Sequence, residues 1–259
     1  RALSGAPGVT IGAHTLTPPE LIAALLGAEV DLLYFASSGT FVRAAAESDL
    51  DAGDKANDAI RIGADRLRAK VIVEGAEGGL TQQARVAFAL AGGRINTDHV
   101  DMSAAPRAAD IEVEMKLALA PLLRAGKIDA MYRSVLLERM QPEMLDLCAQ
   151  ASRLDVLALS LAEAGGVAEA AEHLELLHAL AGAGHIERVD ADLPGDADLA
   201  ARLKSGRGFT RPELAVLMAG EKTRLRTDLL ASPRLDDLYL VRELNAATAK
   251  AYSMIDGAR

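Results

Sequence analysis

The sequence has 259 residues and a mass of 27.2 kDa, enough for one large domain or two modest ones, and for a core that needs no disulfide or metal staple. Hydrophobic residues make up 50% and charged residues 25%, and 37 acidic against 28 basic side chains leave a net charge of −9. That balance argues against a nucleic-acid backbone or an anionic membrane as partner, and 3% aromatics with no Trp argue against base-stacking platforms. The single cysteine, Cys148, excludes an internal disulfide framework and fits a reducing, cytoplasmic setting.

In chain order, residues 1–14 lack the apolar core of a signal peptide, and no apolar run approaches the roughly 18 residues of a membrane span. A start on Arg1 in loop-like sequence reads as a piece of a longer chain. Thr17-Pro18-Pro19-Glu20 is a helix start, with Thr as cap, Pro in the first turn and Glu completing a capping box. The helix runs to Leu26 and stops at Gly27. Val30 to Phe35 is an apolar run of strand length. Residues 54–68 carry Ala56, Ala59, Ile60, Ala64 and Leu67 at helical spacing and predict a helix. Ala69 to Glu74 is a second apolar strand, Leu80 to Leu90 a helix, and Gly93 to Asp98 a third, weaker strand.

Strands that are apolar throughout and separated by helical segments predict a parallel sheet covered on both faces. Ligands bind such sheets at the C-terminal ends of the strands. Those ends lead into Ala36–Thr40, Gly75–Thr81 and Met102–Arg107. From residue 108 the sequence is rich in Ala, Leu and Glu with short breaks. It predicts helices near 108–125, 128–140, 142–163, 167–182, 196–204, 211–231 and 235–256, with a second capping box at Thr210-Arg211-Pro212-Glu213. The fold class is therefore α/β followed by all-α: a partial Rossmann-like sheet of about three strands over 1–107, then a helical domain over 108–259.

Generic chemical motifs are missing. There is no G-x-G-x-x-G, no G-x-x-x-x-G-K-[ST], no H-E-x-x-H and no G-x-S-x-G. His173 and His178 are five apart, a poor spacing for a metal pair on one helix face, and read as solvated helix residues. Cys148 reads as a small buried hydrophobe. Gly75-Ala76-Glu77-Gly78-Gly79, between a strand and a helix, reads either as a tight turn or as a loop whose backbone meets an anionic ligand at a helix N-terminus.

Three phrases together are specific. VDLLYFASSGTFVRA, GDKANDAIRIGADRLRAKVIVEGAEGGLTQQARVAFALAGGRINTDHVD and GRGFTRPELAVLMAGEKTRLRTDLLASP resemble the large NAD-specific glutamate dehydrogenases of bacteria, from about Thr17 to Tyr239. The resemblance implies the C-terminal part of such an enzyme, from the middle of the nucleotide-binding domain onward. It implies oxidative deamination of L-glutamate to 2-oxoglutarate and ammonium with NAD as hydride acceptor, in a homo-oligomer. The family's catalytic lysine and aspartate and its glycine-rich turn lie upstream of the matching region. No catalytic residue and no metal ligand are therefore assigned, and the isolated chain is expected to be inactive.

Position by position, the resemblance assigns the cofactor to Ala36, Ser37, Gly75, Ala76, Glu77 and Met102, and the substrate carboxylate to Ala109. Several of these positions depart from the family pattern. Phe35, Glu77 and Met102 stand where asparagines are expected, and Ala109 where a serine is. An ionised Glu77 accepts hydrogen bonds but cannot donate them as an amide does. Arg107 is the basic residue in these loops available to pair with it. A second reading follows from these departures: a non-catalytic homologue that serves as scaffold or regulatory subunit.

Overall fold

A computed structural model describes residues 16–234 and 237–239. Contacts divide the chain into two compact units, Arg1–Met102 with Ala158–Arg224, and Ser103–Leu157 with Leu225–Arg259. Both are considered within the described residues.

The first unit opens with α1 (Pro18–Leu26), whose Glu20 carboxylate accepts the Thr17 amide and hydroxyl, both at 2.8 Å. Three strands, β1 (Leu32–Phe35), β4 (Val71–Glu74) and β5 (Arg94–Ile95), form a parallel sheet in the order β1-β4-β5. The register pairs Phe35 with Glu74 and Ile72 with Ile95. Two short strands, β2 (Val42–Arg43) and β3 (Ile62–Gly63), form a separate parallel pair. The helix α2 (Gln82–Leu90) follows β4 and starts at Thr81, whose hydroxyl oxygen accepts the Ala84 amide at 3.1 Å. Phe35, Val42, Ile62, Ile72, Leu80, Phe88 and Ile95 share one core. The expected cover on both faces is incomplete at β1. Leu32 and Tyr34 are 54% and 58% exposed, while Phe35, from the alternate row, is buried.

The helix predicted over 54–68 does not form. In its place stand 3-10 turns at Lys55–Asn57 and Ala64–Arg66, with β3 between them. The polar side chains explain the difference. Asp54 accepts the Thr40 amide at 2.8 Å and the Asn57 amide nitrogen at 2.5 Å. The fully buried Arg61 side chain donates to the carbonyls of Thr40 (2.9 Å) and Asp54, and pairs with Asp49 and Asp58. Ile62 donates its amide to Phe41 at 3.0 Å. These long-range bonds override a local periodicity whose Ala56 and Ala59 stay exposed.

The loop expected at Met102–Arg107 is also mostly helical. It is bounded by α3 (Asp98–Asp101) and by α4 (Ala104–Arg124), in which Pro106 falls in the first turn, where a missing amide costs little.

After α4 the protein is helical, with no further strand among the described residues. The two helices predicted near 128–140 and 142–163 are one, α5 (Ala130–Gly165), running through Pro142. In the second unit Met140, Met144 and Cys148 of α5 pack with Met115 of α4 in one buried cluster, which helps offset the backbone bond that Pro142 removes. Cys148 is buried and free, as its surroundings in the sequence suggest.

In the first unit α6 (Ala170–Gly182), α7 (Asp196–Lys204) and the start of α8 (Arg211–Ala231) enclose a second core of Leu159, Leu177, Leu180, Leu199, Leu214 and Leu217. His178 is exposed and lies 3.1 Å from Asp196, whereas His173 meets Phe209 edge-on at 6.0 Å. The helix expected over 235–256 lies almost wholly outside the described residues.

The second capping box is present and buried. Glu213 is wholly inaccessible and accepts the Thr210 amide (2.6 Å), the Thr210 hydroxyl (2.8 Å) and Arg202 (2.7 Å). Its loss strands a guanidinium and an amide together. Glu213→Ala is therefore expected to lower unfolding free energy by about 2–3 kcal/mol, measured by urea titration, with a smaller loss for Glu20→Ala at the exposed first box.

Candidate functional site

All three strands of the main sheet end on the same side, so the segments after β1, β4 and β5 are neighbours. Main-chain bonds join the first two. Gly75 donates to Phe35 at 2.8 Å, Phe41 to Gly79 at 2.9 Å, and Thr81 to Val42 at 3.0 Å. Glycine is favoured at Gly78 by its backbone, and at Gly75 a side chain would have to displace the half-exposed Tyr34 ring. Gly78 adopts φ +71°, and a Cβ on Gly75 would lie 2.0 Å from the Tyr34 hydroxyl.

Under this loop lies an ionic network. Glu74, the last residue of β4, is fully buried on the same row as Ile72. Arg85 of α2 grips it with Nε to Oε2 at 2.6 Å and Nη2 to Oε1 at 2.9 Å. Arg85 Nη2 also lies 3.1 Å from Asp98 Oδ2. Two loop amides end on these carboxylates: Gly78 on Asp98 at 2.9 Å and Leu80 on Glu74 Oε1 at 3.1 Å. Asp101 accepts the Glu74 amide at 2.9 Å and the Asn96 side chain at 2.6 Å, and Arg211 donates to Asn96 at 2.6 Å. The segment after β5 is thereby tied to the loop after β4.

Burial pushes the Glu74 carboxyl up from its ordinary range, against the hydrogen bonds and charge of Arg85. Burial likewise raises Asp101, which has only amide donors beside it and more distant guanidinium charge. For Asp98 burial acts in the same sense, but the charge of Arg85 and the amides of Gly78 and His99 outweigh it and hold its carboxyl low.

Of the residues singled out in the sequence, Ala36 and Ser37 lie exposed just beyond β1, Glu77 is exposed at the tip of the β4 loop, Gly75 is half-buried beside it, and Met102 caps α3, half-buried. The sheet brings these five to one end. Ala76 is buried, so its methyl group turns inward. Phe35 is also buried and stacks on Phe41 with ring centroids 5.8 Å apart. Ala109 lies exposed on α4, in the other unit. Arg107 is the ion-pair partner of Asp155 at 3.2 Å.

Glu74, Arg85, Asp98 and Asp101 were not legible as site residues from the motifs. One signal for the first was available: a carboxylate in phase with the inward row of a buried strand must find a partner.

The loop amides of Gly75, Gly78 and Leu80 all end on protein acceptors. The β4 loop is thus a tight turn with half of its amides turned inward, while those of Ala76, Glu77 and Gly79 donate to no protein group among the described residues. Its outward chemistry is the exposed Glu77 carboxylate, and the segment after β1 adds the exposed Ser37, both able to accept from hydroxyl and amide donors. Among the described residues no cluster of three or more His, Cys, Asp or Glu could hold a metal ion. No helix among them is long and apolar enough to cross a membrane.

A parallel α/β sheet of this kind receives ligands outside the carboxyl ends of its strands, but the fold alone does not fix a function. Sequence comparison identifies the family. The family model for the catalytic domain of bacterial NAD-glutamate dehydrogenase matches residues 7–162. The chain is 40% identical over 237 residues to an NAD-specific glutamate dehydrogenase of Pseudomonas aeruginosa, covering 92% of this chain and 15% of that protein. It is 41% identical over 246 residues to the one from Mycobacterium tuberculosis, covering 93% of this chain and 15% of that protein. The protein of the same name from Halomonas elongata is 36% identical over 227 residues, 88% of this chain and 14% of its own length. The chain belongs to the bacterial NAD-glutamate dehydrogenase family, and it spans about 15% of the length of the curated relatives it matches.

The depressed Asp98 carboxyl has a testable sign. A group whose folded pKa lies below its unfolded value of about 3.9 adds stability above that pH, and the addition is lost as pH falls through the folded value. The wild type is therefore expected to exceed Asp98→Asn in urea midpoint at pH 6, with the gap closing as pH is lowered below about 4.

Proposed function

We propose that this chain is part of the catalytic region of an NAD-dependent glutamate dehydrogenase that converts L-glutamate to 2-oxoglutarate and ammonium. Family membership carries this reading. The protein acts in the cytoplasm as a homo-oligomer, and the isolated chain, holding only the second part of a Rossmann-like domain, does not turn over. NAD, when bound, accepts the hydride that leaves glutamate.

The residues proposed to face NAD are Ala36, Ser37, Gly75, Ala76, Glu77 and Met102, with Ala109 at the substrate carboxylate. Their chemistry fits one end of the cofactor. Glu77 and Ser37 can accept from the ribose hydroxyls and the carboxamide. Ala76 contributes main chain only, because its methyl group is buried. These positions supply no cation, and the Glu77 carboxylate repels an anion, so the cations that hold the phosphates lie elsewhere in the complete enzyme.

A second reading, a scaffold or regulatory subunit that keeps the fold without the chemistry, is favoured by one observation. Phe35 stands at an expected asparagine position and its ring is sealed in the core. Steady-state NADH formation by the complete protein at saturating glutamate and NAD separates the two. A rate of about 1 per second or more is expected for the dehydrogenase, and a background rate from folded protein establishes the second reading. The isolated chain is expected to bind NAD no tighter than about millimolar; a micromolar constant by calorimetry contradicts the division of the site proposed here.

A further inference from the structure

We infer that Asp98 and Arg85 are positioning residues for NAD: they set the β4 loop so that only its tip, with Glu77, projects from the sheet. The inference rests on the proposed cofactor role of that loop.

Between β4 and α2 the chain has one short segment to turn in, and the network meets it from below. Gly78 is fastened to Asp98 Oδ2 at 2.9 Å, and Leu80 to Glu74 Oε1 at 3.1 Å. Both acceptors are held by one guanidinium, since Arg85 Nη2 reaches Glu74 Oε1 at 2.9 Å and Asp98 Oδ2 at 3.1 Å. Gly78 can take this position because its φ is +71°. On the other flank Gly79 sits so close to Glu74 and Phe35 that a Cβ would lie 3.1 and 3.2 Å from them. Ala76 is buried, which leaves Glu77 as the exposed side chain of the loop.

A tight turn alone does not call for this arrangement. Neutral acceptors satisfy loop amides without drawing carboxylates and a guanidinium out of water, a transfer that costs several kcal/mol per ion before pairing. What charged, bidentate partners add is geometric definition. The segment they define stands at the C-terminal end of a parallel strand, where these sheets receive ligands. Asp98 is the informative member. It contacts the loop directly, its side chain is 22% exposed, and its removal leaves the buried Glu74–Arg85 pair intact.

The test uses the complete protein with Asp98→Ala and Asp98→Asn. Alanine removes the acceptor for Gly78, whereas asparagine keeps a carbonyl oxygen there and loses the charge and the second oxygen, which accepts the His99 amide at 2.8 Å. Asp98→Ala is expected to raise the KM for NAD roughly tenfold, with the KM for glutamate within about twofold. Asp98→Asn is expected to recover most of that loss. In hydrogen exchange the Gly78 amide should lose protection in the alanine variant and keep it in the asparagine variant.

Calorimetric NAD binding gives the same comparison without turnover. A protein that binds NAD less tightly as Asp98→Ala but forms no NADH refutes the dehydrogenase reading and leaves the positioning role standing. Equal NAD affinity in wild type and Asp98→Ala, equal rises in both KM values, or unchanged Gly78 protection overturns the positioning role. A folded wild type that does not bind NAD overturns both.

Discussion

The buried pair of Glu74 and Arg85 is the constraint on which the carboxyl end of the sheet depends. Each partner would be expensive alone: a carboxylate with no solvent access and a guanidinium whose side chain is 8% exposed. Together they join the last residue of β4 to the second turn of α2, so strand, loop and helix form one mechanical piece. Asp98 and Asp101 attach the segment after β5 to the same charges. A change at any member is felt by strands and loops distant in sequence, because each carboxylate serves both an ion or amide partner and a backbone amide.

This arrangement explains why the loops were only partly legible in the sequence. The strands announce themselves as apolar runs, and Gly75, Gly78 and Gly79 announce a turn. What the turn does is decided by where its amides point, and that depends on Asp98, twenty positions beyond Gly78. The failed helix at 54–68 has the same origin. Its apolar spacing is real, but Arg61 and Asp54 find partners at Thr40 and Asp49 that no local window contains. The long α5 errs in the other direction. Pro142 reads as a break, yet Met140, Met144 and Cys148 bury one stripe on Met115 and carry the helix through. Local punctuation was a sound guide where side chains act locally, as at both capping boxes, and failed where a distant partner or a packed face outweighed it.

Phe35 and Glu77 depart from the family pattern in physically different ways. Phe35 is closed off from solvent. Its ring fills the core against Phe41 and the Cα of Gly79, so a polar residue there would lose packing and need a partner. Glu77 remains in water at the loop tip, so its charge costs nothing until something covers it. The first departure is built into the fold. The second concerns only what the loop can recognise.

The charge distribution then sets how the cofactor's parts divide. NAD carries a negatively charged pyrophosphate between two ends rich in hydroxyl and amide donors. At this end of the sheet the amides of Gly75, Leu80 and Gly78 are engaged by Phe35, Glu74 and Asp98, and the exposed side chain at the tip is anionic. A phosphate brought close to the tip would meet the like charge of Glu77, whereas a ribose or carboxamide would meet an acceptor already in place. Under the dehydrogenase reading this polarity orients the cofactor: the donor-rich nicotinamide end is drawn to Glu77, and the phosphates are left to cations outside these loops. The same polarity would be pointless in a scaffold, where the tip of the loop could carry any solvated residue.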